Sequence, residues 1–174
     1  VNNQAPTADA GEDQSVDTFE PVTLDGSTSS DPDEDTPLSY QWTQTDGTVV
    51  TLMDDDTVNP TFNAPGDPDT LTFSLVVTDS FGFGSEEDTV IIIINNQEPV
   101  TNAGPDQAVD ILDLVTLDGS TSYDPDGDMP LSYQWTQTEG TSVSITDADT
   151  ANPSFTAPSN PDTLKFSLVV IDSL

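Results

Sequence analysis

An internal repeat with a period of 93 residues limits what this chain can fold into. Trp42 matches Trp135 at that offset (135 − 42 = 93), and Phe73 matches Phe166. No gap is needed along the shared length, and roughly two-thirds of the aligned positions are identical. One period is close to the ~100 residues of an immunoglobulin-like β-sandwich, so the repeat indicates two copies of one small domain in tandem.

Within each period, the apolar residues fall in short segments that alternate with polar residues, as in half-buried strands. The clearest inward row is Leu71, Phe73, Leu75 and Val77, and residues 89–94 form an almost continuously apolar last strand. No stretch shows a helical period, so the predicted fold class is all-β: two tandem immunoglobulin-like antiparallel β-sandwiches. The other predicted strands are residues 14–17, Val22 with Leu24, the row Leu38, Tyr40 and Trp42, a hairpin from Asp46-Gly47 to Val50 and Leu52, and an edge segment at Phe62.

Four aromatic side chains lie on the inward rows of the first copy: Tyr40, Trp42, Phe62 and Phe73. We expect them to anchor the core, because buried aromatic rings dominate the packing of such domains. We do not expect them to form a platform on which sugars stack.

The alignment assigns residues 1–94 to the first β-sandwich and residues 95–174 to the second. The second copy has no counterpart of residues 82–94, so we expect it to lack its last strand, which leaves an unpaired edge and an open apolar groove. Two fillers are considered: a continuing chain with a segment like residues 89–94, which is favoured because repeats run on in series, or a strand from a neighbouring subunit. At the other end, residues 1–3 (Val-Asn-Asn) match residues 94–96, so they are expected to be the tail of a preceding last strand.

The charge of the chain excludes several classes of function. Its 33 acidic residues and single cation, Lys165, give a formal net charge of −32, which excludes nucleic-acid binding and attraction to anionic lipid. No apolar run is long enough to span a bilayer, so no membrane insertion is expected. Self-repulsion of this size destabilises the compact state, which fits either a saline environment or calcium binding.

An acidic turn, Asp-Pro-Asp-Glu-Asp at residues 31–35 and Asp-Pro-Asp-Gly-Asp at residues 124–128, occurs once in each copy. Carboxylates at alternate positions of a tight turn direct oxygens toward one space, and oxygen clusters of this kind bind hard cations such as calcium. The alternative interpretation is a solvated polar turn. The motif is not an EF-hand loop, since Thr36 and Trp42 stand where that loop needs glycine and glutamate.

The ordered motifs along both copies resemble the PKD (polycystic kidney disease) domain family, and most closely its bacterial and archaeal members that occur in tandem in secreted and surface proteins. The resemblance covers nearly the whole chain and implies an immunoglobulin-like β-sandwich. It rests on Ala-Asp-Ala-Gly at residues 8–11, Val-Thr-Leu-Asp-Gly-Ser at residues 22–27, the acidic turns, Tyr-Gln-Trp at residues 40–42, and Val-Val-Thr-Asp at residues 76–79, with their counterparts in the second copy.

Some members of that family bind calcium where the domain begins, and the resemblance therefore implies one Ca²⁺ per domain. Asp35 and Asp128 are either further ligands or residues that support the ligands. Glu34 departs from the glycine that is usual in the turn. The ligands carried over are Asn3, Asp31, Asp33 and Asp79 in the first domain, and Asn96, Asp124, Asp126 and Asp172 in the second.

The favoured function is a non-enzymatic, calcium-stiffened structural or adhesive repeat module of a long extracellular or cell-surface protein, such as a stalk or a filament subunit. Its expected partners are neighbouring repeats or identical subunits, and a cell-surface glycan or protein. The alternative is an accessory spacer or substrate-binding module of a secreted enzyme that degrades polysaccharide or protein. An enzyme is not expected, because a chain without histidine, cysteine and arginine lacks most acid–base and nucleophilic schemes.

Overall fold

A computed structural model describes residues 3–174; of the strand tail expected at residues 1–3 only Asn3 is described, and it forms no strand. The structure is all-β, as predicted. Residue contacts divide the chain into two compact units, Val1–Asn96 and Gln97–Leu174. Residues 3–174 contain no helix, and therefore none that is long and apolar enough to cross a membrane.

The described part of the first unit, residues 3–96, contains six strands in two sheets. One sheet has the order β1-β6-β5-β3, and the other pairs β2 with β4. Most neighbours are antiparallel, but β1 pairs with β6 in parallel, which the sequence pattern did not predict. The strands are β1 (Gln14–Asp17), β2 (Pro21–Thr23), β3 (Ser39–Asp46), β4 (Thr61–Asn63), β5 (Asp69–Thr78) and β6 (Asp88–Asn95).

The hairpin predicted after Asp46-Gly47 does not form, because a side chain takes the place of the backbone ladder. Gly47 does adopt a left-handed φ of 86°, as a turn there requires. However, the Gln44 side chain donates from Nε2 to the Thr48 carbonyl (2.8 Å) and accepts from the Val50 N–H (3.0 Å). β3 therefore pairs with β5 instead of with the segment that follows the turn.

The core of the first unit lies between its two sheets. Trp42, Phe62 and Phe73 are at most 2% exposed, which confirms them as core anchors, while Tyr40 is only partly buried. The rings of Phe62 on β4 and Phe73 on β5 lie 5.0 Å apart, so the aromatic contact joins the two sheets. The indole Nε1 of Trp42 donates to the Thr57 carbonyl (3.1 Å), which satisfies its buried donor.

The second unit has four strands: β7 (Leu114–Thr116), β8 (Ser132–Glu139), β9 (Ser154–Thr156) and β10 (Lys165–Ile171). β10 pairs with β8, and β7 pairs with β9. Among the described residues no strand follows Ile171. Residues 107–110, the counterpart of β1, form no strand either.

The core of the second unit is less fully buried than that of the first. Phe155 and Val115 are buried, but Leu164, which directly precedes β10, and Phe166 and Leu168 on the inner face of β10 are only partly buried. Beside them lies a cavity of about 770 Å³. We call this cavity the open groove; its lining includes residues 103–111, Val115, Trp135, Phe155 and residues 160–166.

Candidate metal centre

The acidic turn of the first unit brings three carboxylates together. Oxygen atoms of Asp31, Asp33 and Asp35 all lie within 4.8 Å of one another. The turn is closed by Asp31 itself, whose Oδ1 accepts the backbone N–H groups of Asp33 (2.8 Å) and Asp35 (3.2 Å). Asx turns of this kind fold the chain back so that alternate side chains share one space. The predicted ligands Asp31 and Asp33 are thus adjacent, with Asp35 as a third member.

Gln4 anchors the turn to the segment that enters the domain. Its backbone N–H donates to Asp33 Oδ2 (2.7 Å), and its side-chain Nε2 donates to Asp33 Oδ1 (3.0 Å). Sequence reasoning missed this residue. The one sequence feature that could have identified it is its identity with Gln97 at the 93-residue offset.

Asn3 and Asp79 meet on another side of the site. Asn3 Nδ2 donates to Asp79 Oδ2 (2.7 Å), and Asp79 Oδ1 accepts the N–H groups of Phe81 (2.8 Å) and Phe83 (2.9 Å). Burial acts to raise the pKa of Asp79, but these hydrogen bonds outweigh it and hold the pKa below its usual value. Asp79 is therefore an ionised, buried carboxylate directly after β5, and it orients Asn3.

Two buried oxygen atoms of the site have no hydrogen-bond partner: Asn3 Oδ1 and Asp31 Oδ2. Buried polar atoms without partners are rare and costly, so each one needs an explanation. Burial and the negative charges of Asp31, Asp33 and Asp79 also raise the pKa of Asp35. The site therefore gathers more negative charge and more acceptor oxygens than the protein's own donors satisfy.

The acidic turn of the second unit repeats this arrangement. Oxygens of Asp124, Asp126 and Asp128 lie within 4.8 Å of one another, and Asp124 Oδ1 accepts the N–H groups of the other two. Gln97 donates its backbone N–H and its Nε2 to Asp126, both at 2.8 Å. Asp124 is only 8% exposed, and its buried Oδ2 has no hydrogen-bond partner.

The two remaining predicted ligands of the second site, Asp172 and Asn96, are not part of the carboxylate cluster. Asp172 directly follows β10, as Asp79 follows β5, and its Oδ1 accepts the Leu174 N–H (3.1 Å). Asn96 is the last residue of the first unit. The structure therefore groups the turn residues most firmly, and the ligand roles of all eight predicted residues stay predictions.

The donor set of both sites consists of carboxylate and amide oxygens, without a nitrogen or sulfur ligand. Hard cations that take many oxygen ligands, calcium above all, match such a set. No side chain at the described sites supplies a histidine, cysteine or basic group for catalysis, since the chain has no histidine or cysteine and its single cation is Lys165. The arrangement suits ion binding.

Comparison with known families supports the resemblance seen in the motifs. A family model described as "K319L-like, PKD domain" matches residues 10–94 and 103–174, which together are most of the chain. Both units of the chain are thus matched by a model of the PKD domain. The chain belongs to the K319L-like PKD domain family.

The relatives found by sequence include mammalian proteins. The mouse dyslexia-associated protein KIAA0319-like protein is 33% identical over 142 residues, which are 78% of this chain and 13% of that protein. The rat dyslexia-associated protein KIAA0319 homolog is 34% identical over 117 residues, which are 64% of this chain and 10% of that protein. The chain thus spans roughly a tenth of these relatives. The PKD prediction is confirmed, and membership of the bacterial and archaeal subset stays a prediction.

Among solved structures, the PKD domain from KIAA 1837 protein is 27% identical, with a TM-score of 0.43. The match covers 62% of this chain and 99% of that domain.

Proposed function

We propose that this chain is a non-enzymatic structural and adhesive module of an extracellular or cell-surface protein, and that each of its two PKD units binds one calcium ion. The observation that carries the proposal is the pair of buried, unpartnered carboxylate oxygens, Asp31 Oδ2 and Asp124 Oδ2, each inside a cluster of three carboxylates. Membership of the PKD family and the absence of histidine and cysteine support a role without catalysis.

In the first unit, the proposed ligands are Asp31 through Oδ2, Asn3 through Oδ1, and the carboxylates of Asp33 and Asp35. Calcium takes about 6–8 oxygen ligands, so water or a second oxygen of a bidentate carboxylate would complete the shell. Asp79 contributes its negative charge and holds the Asn3 amide so that Oδ1 is available. The corresponding residues of the second site are Asp124, Asp126, Asp128, Asn96 and Asp172.

Calcium at these sites would tie the entering segment of each unit to its acidic turn. In the first unit, Asn3 and Gln4 already contact Asp79 and Asp33, and a shared cation would strengthen both links. Gln97 and Asp126 form the same link in the second unit. A stiff entry to each module favours an extended array, so the proposed partners are neighbouring repeats or identical subunits and a cell-surface glycan or protein.

Isothermal titration calorimetry on the chelator-treated chain tests calcium binding. We expect two bound Ca²⁺ per chain, one after Asp31→Asn or Asp124→Asn alone, and none after both substitutions together. The matched control is the double variant Asp56→Asn with Asp149→Asn, which removes the same charge from two exposed loop positions at the 93-residue offset and should still bind two. Heats that stay the same in the Asp31→Asn, Asp124→Asn double variant would refute the proposal.

A further inference from the structure

An aspartate that is followed by glycine can rearrange without an enzyme, because glycine has no side chain to hinder its amide nitrogen from attacking the aspartate carboxyl group. The reaction needs that nitrogen to lie close to the carboxyl group and not to be held by another acceptor. The structure therefore distinguishes the Asp-Gly pairs by their hydrogen bonds. The chain contains four of them, at residues 25–26, 46–47, 118–119 and 126–127.

Two of the pairs, at residues 25–26 and 118–119, have a glycine that is buried and bound elsewhere. The Gly26 N–H donates to the Val58 carbonyl (2.9 Å), and the Gly119 N–H donates to the Ala151 carbonyl (2.8 Å). These bonds direct each glycine N–H to a distant part of the chain. Attack on the preceding aspartate would first require local opening of the fold.

The pair at residues 126–127 is held within the second acidic turn. The Gly127 N–H donates to the Asp124 carbonyl (3.3 Å). Both carboxylate oxygens of Asp126 accept hydrogen bonds from Gln97, each at 2.8 Å. The carboxyl group and the amide nitrogen of this pair are thus fixed by different partners.

The pair at residues 46–47 has the opposite arrangement. The Gly47 N–H donates to Oδ1 of Asp46 itself (2.9 Å), and both residues are exposed at the end of β3. Among the described residues, no other acceptor competes for this N–H. Gln44 Nε2 donates to the Asp46 carbonyl (3.1 Å), which draws electron density from the amide and makes the Gly47 N–H more acidic. The reacting groups are therefore already close together.

We propose that Asp46 is a site of spontaneous isoaspartate formation. The Gly47 nitrogen attacks Cγ of Asp46 in its carboxylic acid form, and the N–H proton and the Cγ hydroxyl group leave as water, which closes a five-membered succinimide. Water then opens the ring: attack at Cγ restores aspartate, whereas attack at the main-chain carbonyl carbon leaves the chain linked through Cγ with a free α-carboxylate. Water is the single co-reactant, and the proposal does not depend on calcium binding.

The rearrangement would alter the turn that follows β3. Isoaspartate adds one methylene group to the main chain at a point where the backbone is closely packed: a Cβ on Gly47 would lie 2.5 Å from Leu71 Cδ2. The added length would disturb the hydrogen bond from the Thr48 N–H to Asp69 Oδ2 (2.7 Å). We therefore expect faster amide hydrogen exchange at Thr48 after the rearrangement.

The second unit provides a natural control at the 93-residue offset, where Glu139-Gly140 replaces Asp46-Gly47. The two glycines have nearly the same φ, 86° and 90°. The Thr141 N–H donates to Asp162 Oδ2 (2.7 Å), as the equivalent threonine does in the first unit. Attack on a glutamate side chain would have to close a six-membered ring, which is much slower. The second unit thus has the same turn without the rearrangement.

Peptide mapping by mass spectrometry, with fragmentation that distinguishes isoaspartate from aspartate, tests the proposal on the intact chain. Incubation at about pH 5 keeps part of the aspartate in its acid form. We expect isoaspartate to accumulate at residue 46 roughly tenfold or more faster than at residues 25, 118 and 126, since those three sites must first open locally. In concentrated urea, the four sites should react at similar rates, because local sequence alone then decides.

The variant Asp46→Glu gives the first unit the residue of the second and is the matched control. It should form no isoaspartate at this position, and its Thr48 amide should exchange equally fast before and after incubation. In the unchanged chain, exchange at Thr48 should rise in proportion to the isoaspartate fraction, and exchange at Thr141 should not change. Equal accumulation at the four sites of the folded chain, or a rise at Thr48 in Asp46→Glu as well, would overturn the proposal.

Discussion

The fourth position of the acidic turn adopts a left-handed backbone in both units, although the residues differ. Glu34 has a φ of 61° and Gly127 a φ of 85°. A side chain in this conformation costs roughly 1–2 kcal/mol, which glycine avoids at some cost in the entropy of the unfolded chain. Glu34, which departs from the usual glycine of the family, therefore leaves the turn geometry intact and places backbone strain next to the candidate site.

We expect Glu34→Gly to raise the free energy of unfolding of the first unit by about 1 kcal/mol, and Gly127→Ala to lower that of the second by about 1 kcal/mol. A side chain at Gly127 would meet no atom within 4 Å, so the cost there is conformational. Chemical denaturation of the chelator-treated chain measures both changes in the free energy of unfolding. Glu34→Gln separates strain from charge, and an equal gain in that variant would contradict the backbone explanation.

Asp69 and Asp162 give the chain a predictable response to acid. The Thr48 N–H donates to Asp69 Oδ2 (2.7 Å), and this bond together with that from Thr70 holds the pKa of Asp69 below its ordinary value of 3.8. Thr141 and Thr163 lower the pKa of Asp162 in the same way. A carboxylate whose pKa is lower in the folded state stabilises the fold above the unfolded pKa, and that contribution is lost as the pH falls.

Protonation also weakens the repulsion among the acidic residues, so the prediction concerns the contribution of these two carboxylates: we expect it to decline as the pH falls below about 4. The decline should be shallower in Asp69→Asn and Asp162→Asn, which already lack the contribution at pH 6. Urea denaturation at a series of pH values measures the slope. The exposed Asp56→Asn serves as control. A decline as steep in the two variants as in the unchanged chain would show that these carboxylates do not carry it.

At single residues, the sequence indicated part of the site. Alternating aspartates predicted the proximity of Asp31 and Asp33, because the pattern is local to one turn. The sequence does not decide whether Asp35 is a ligand or supports the ligands, and the structure places it in the carboxylate cluster. The contact between Gln4 and Asp33 joins residues 29 positions apart, and no local pattern encodes a hydrogen bond over that separation.

At the scale of elements, one strand depends on another. Residues 14–17 (Gln-Ser-Val-Asp) and residues 107–110 (Gln-Ala-Val-Asp) are almost identical in sequence, yet only the first segment forms a strand. Both glutamines donate to equivalent carbonyls, those of Thr23 (3.0 Å) and Thr116 (2.9 Å), so local contacts are alike. The difference is β6, which supplies the backbone partners of β1. Strand formation here is decided by tertiary context, which local propensity cannot reveal.

The same difference predicts unequal costs for two equivalent substitutions. Trp42 and Trp135 are 2% and 4% exposed, and each donates to a loop carbonyl. We expect Trp42→Ala to cost about 3–5 kcal/mol, as for other buried aromatic residues. Trp135 lines the open groove, where water reaches the space left by the ring, so Trp135→Ala should cost about 1–3 kcal/mol.

Each variant retains one tryptophan, so its fluorescence reports the unchanged unit while circular dichroism follows both during denaturation. The unchanged unit is the internal control and should unfold at its usual denaturant concentration. If both substitutions lowered the free energy of unfolding equally, the core of the second unit would be as closed as that of the first, contrary to this prediction.

For the whole molecule, the main electrostatic effect is repulsion among the acidic side chains. The 33 acidic residues are opposed by a single cation, Lys165, which gives a net charge of −32. Lys165 forms an exposed ion pair with Glu139 at 2.8 Å. Exposed pairs of this kind contribute at most about 1 kcal/mol. Compactness therefore depends on the apolar cores and on cations from the solvent.

We expect the melting temperature to fall on chelation in low salt and to rise with added sodium chloride, which screens the charges. Calcium should raise it at concentrations too low to screen, because binding to the folded state is stabilising. Scanning calorimetry measures both effects. The Asp31→Asn, Asp124→Asn double variant should keep the response to salt and lose the response to calcium; an equal calcium response in that variant would place the stabilising ions elsewhere.

Because β6 lies inside its sheet, its correct pairing depends on which partner strands are present when it folds, and hence on the order of synthesis. During synthesis the first unit emerges before β10 exists, and domains generally fold in that order, so β6 finds only its own partners. When a denatured chain refolds, two acceptors of nearly the same sequence, β5 and β10, are available to β6 at once. Refolded samples would then contain mispaired chains that newly synthesised protein does not form. Protein purified without a denaturation step would therefore be more homogeneous than refolded protein.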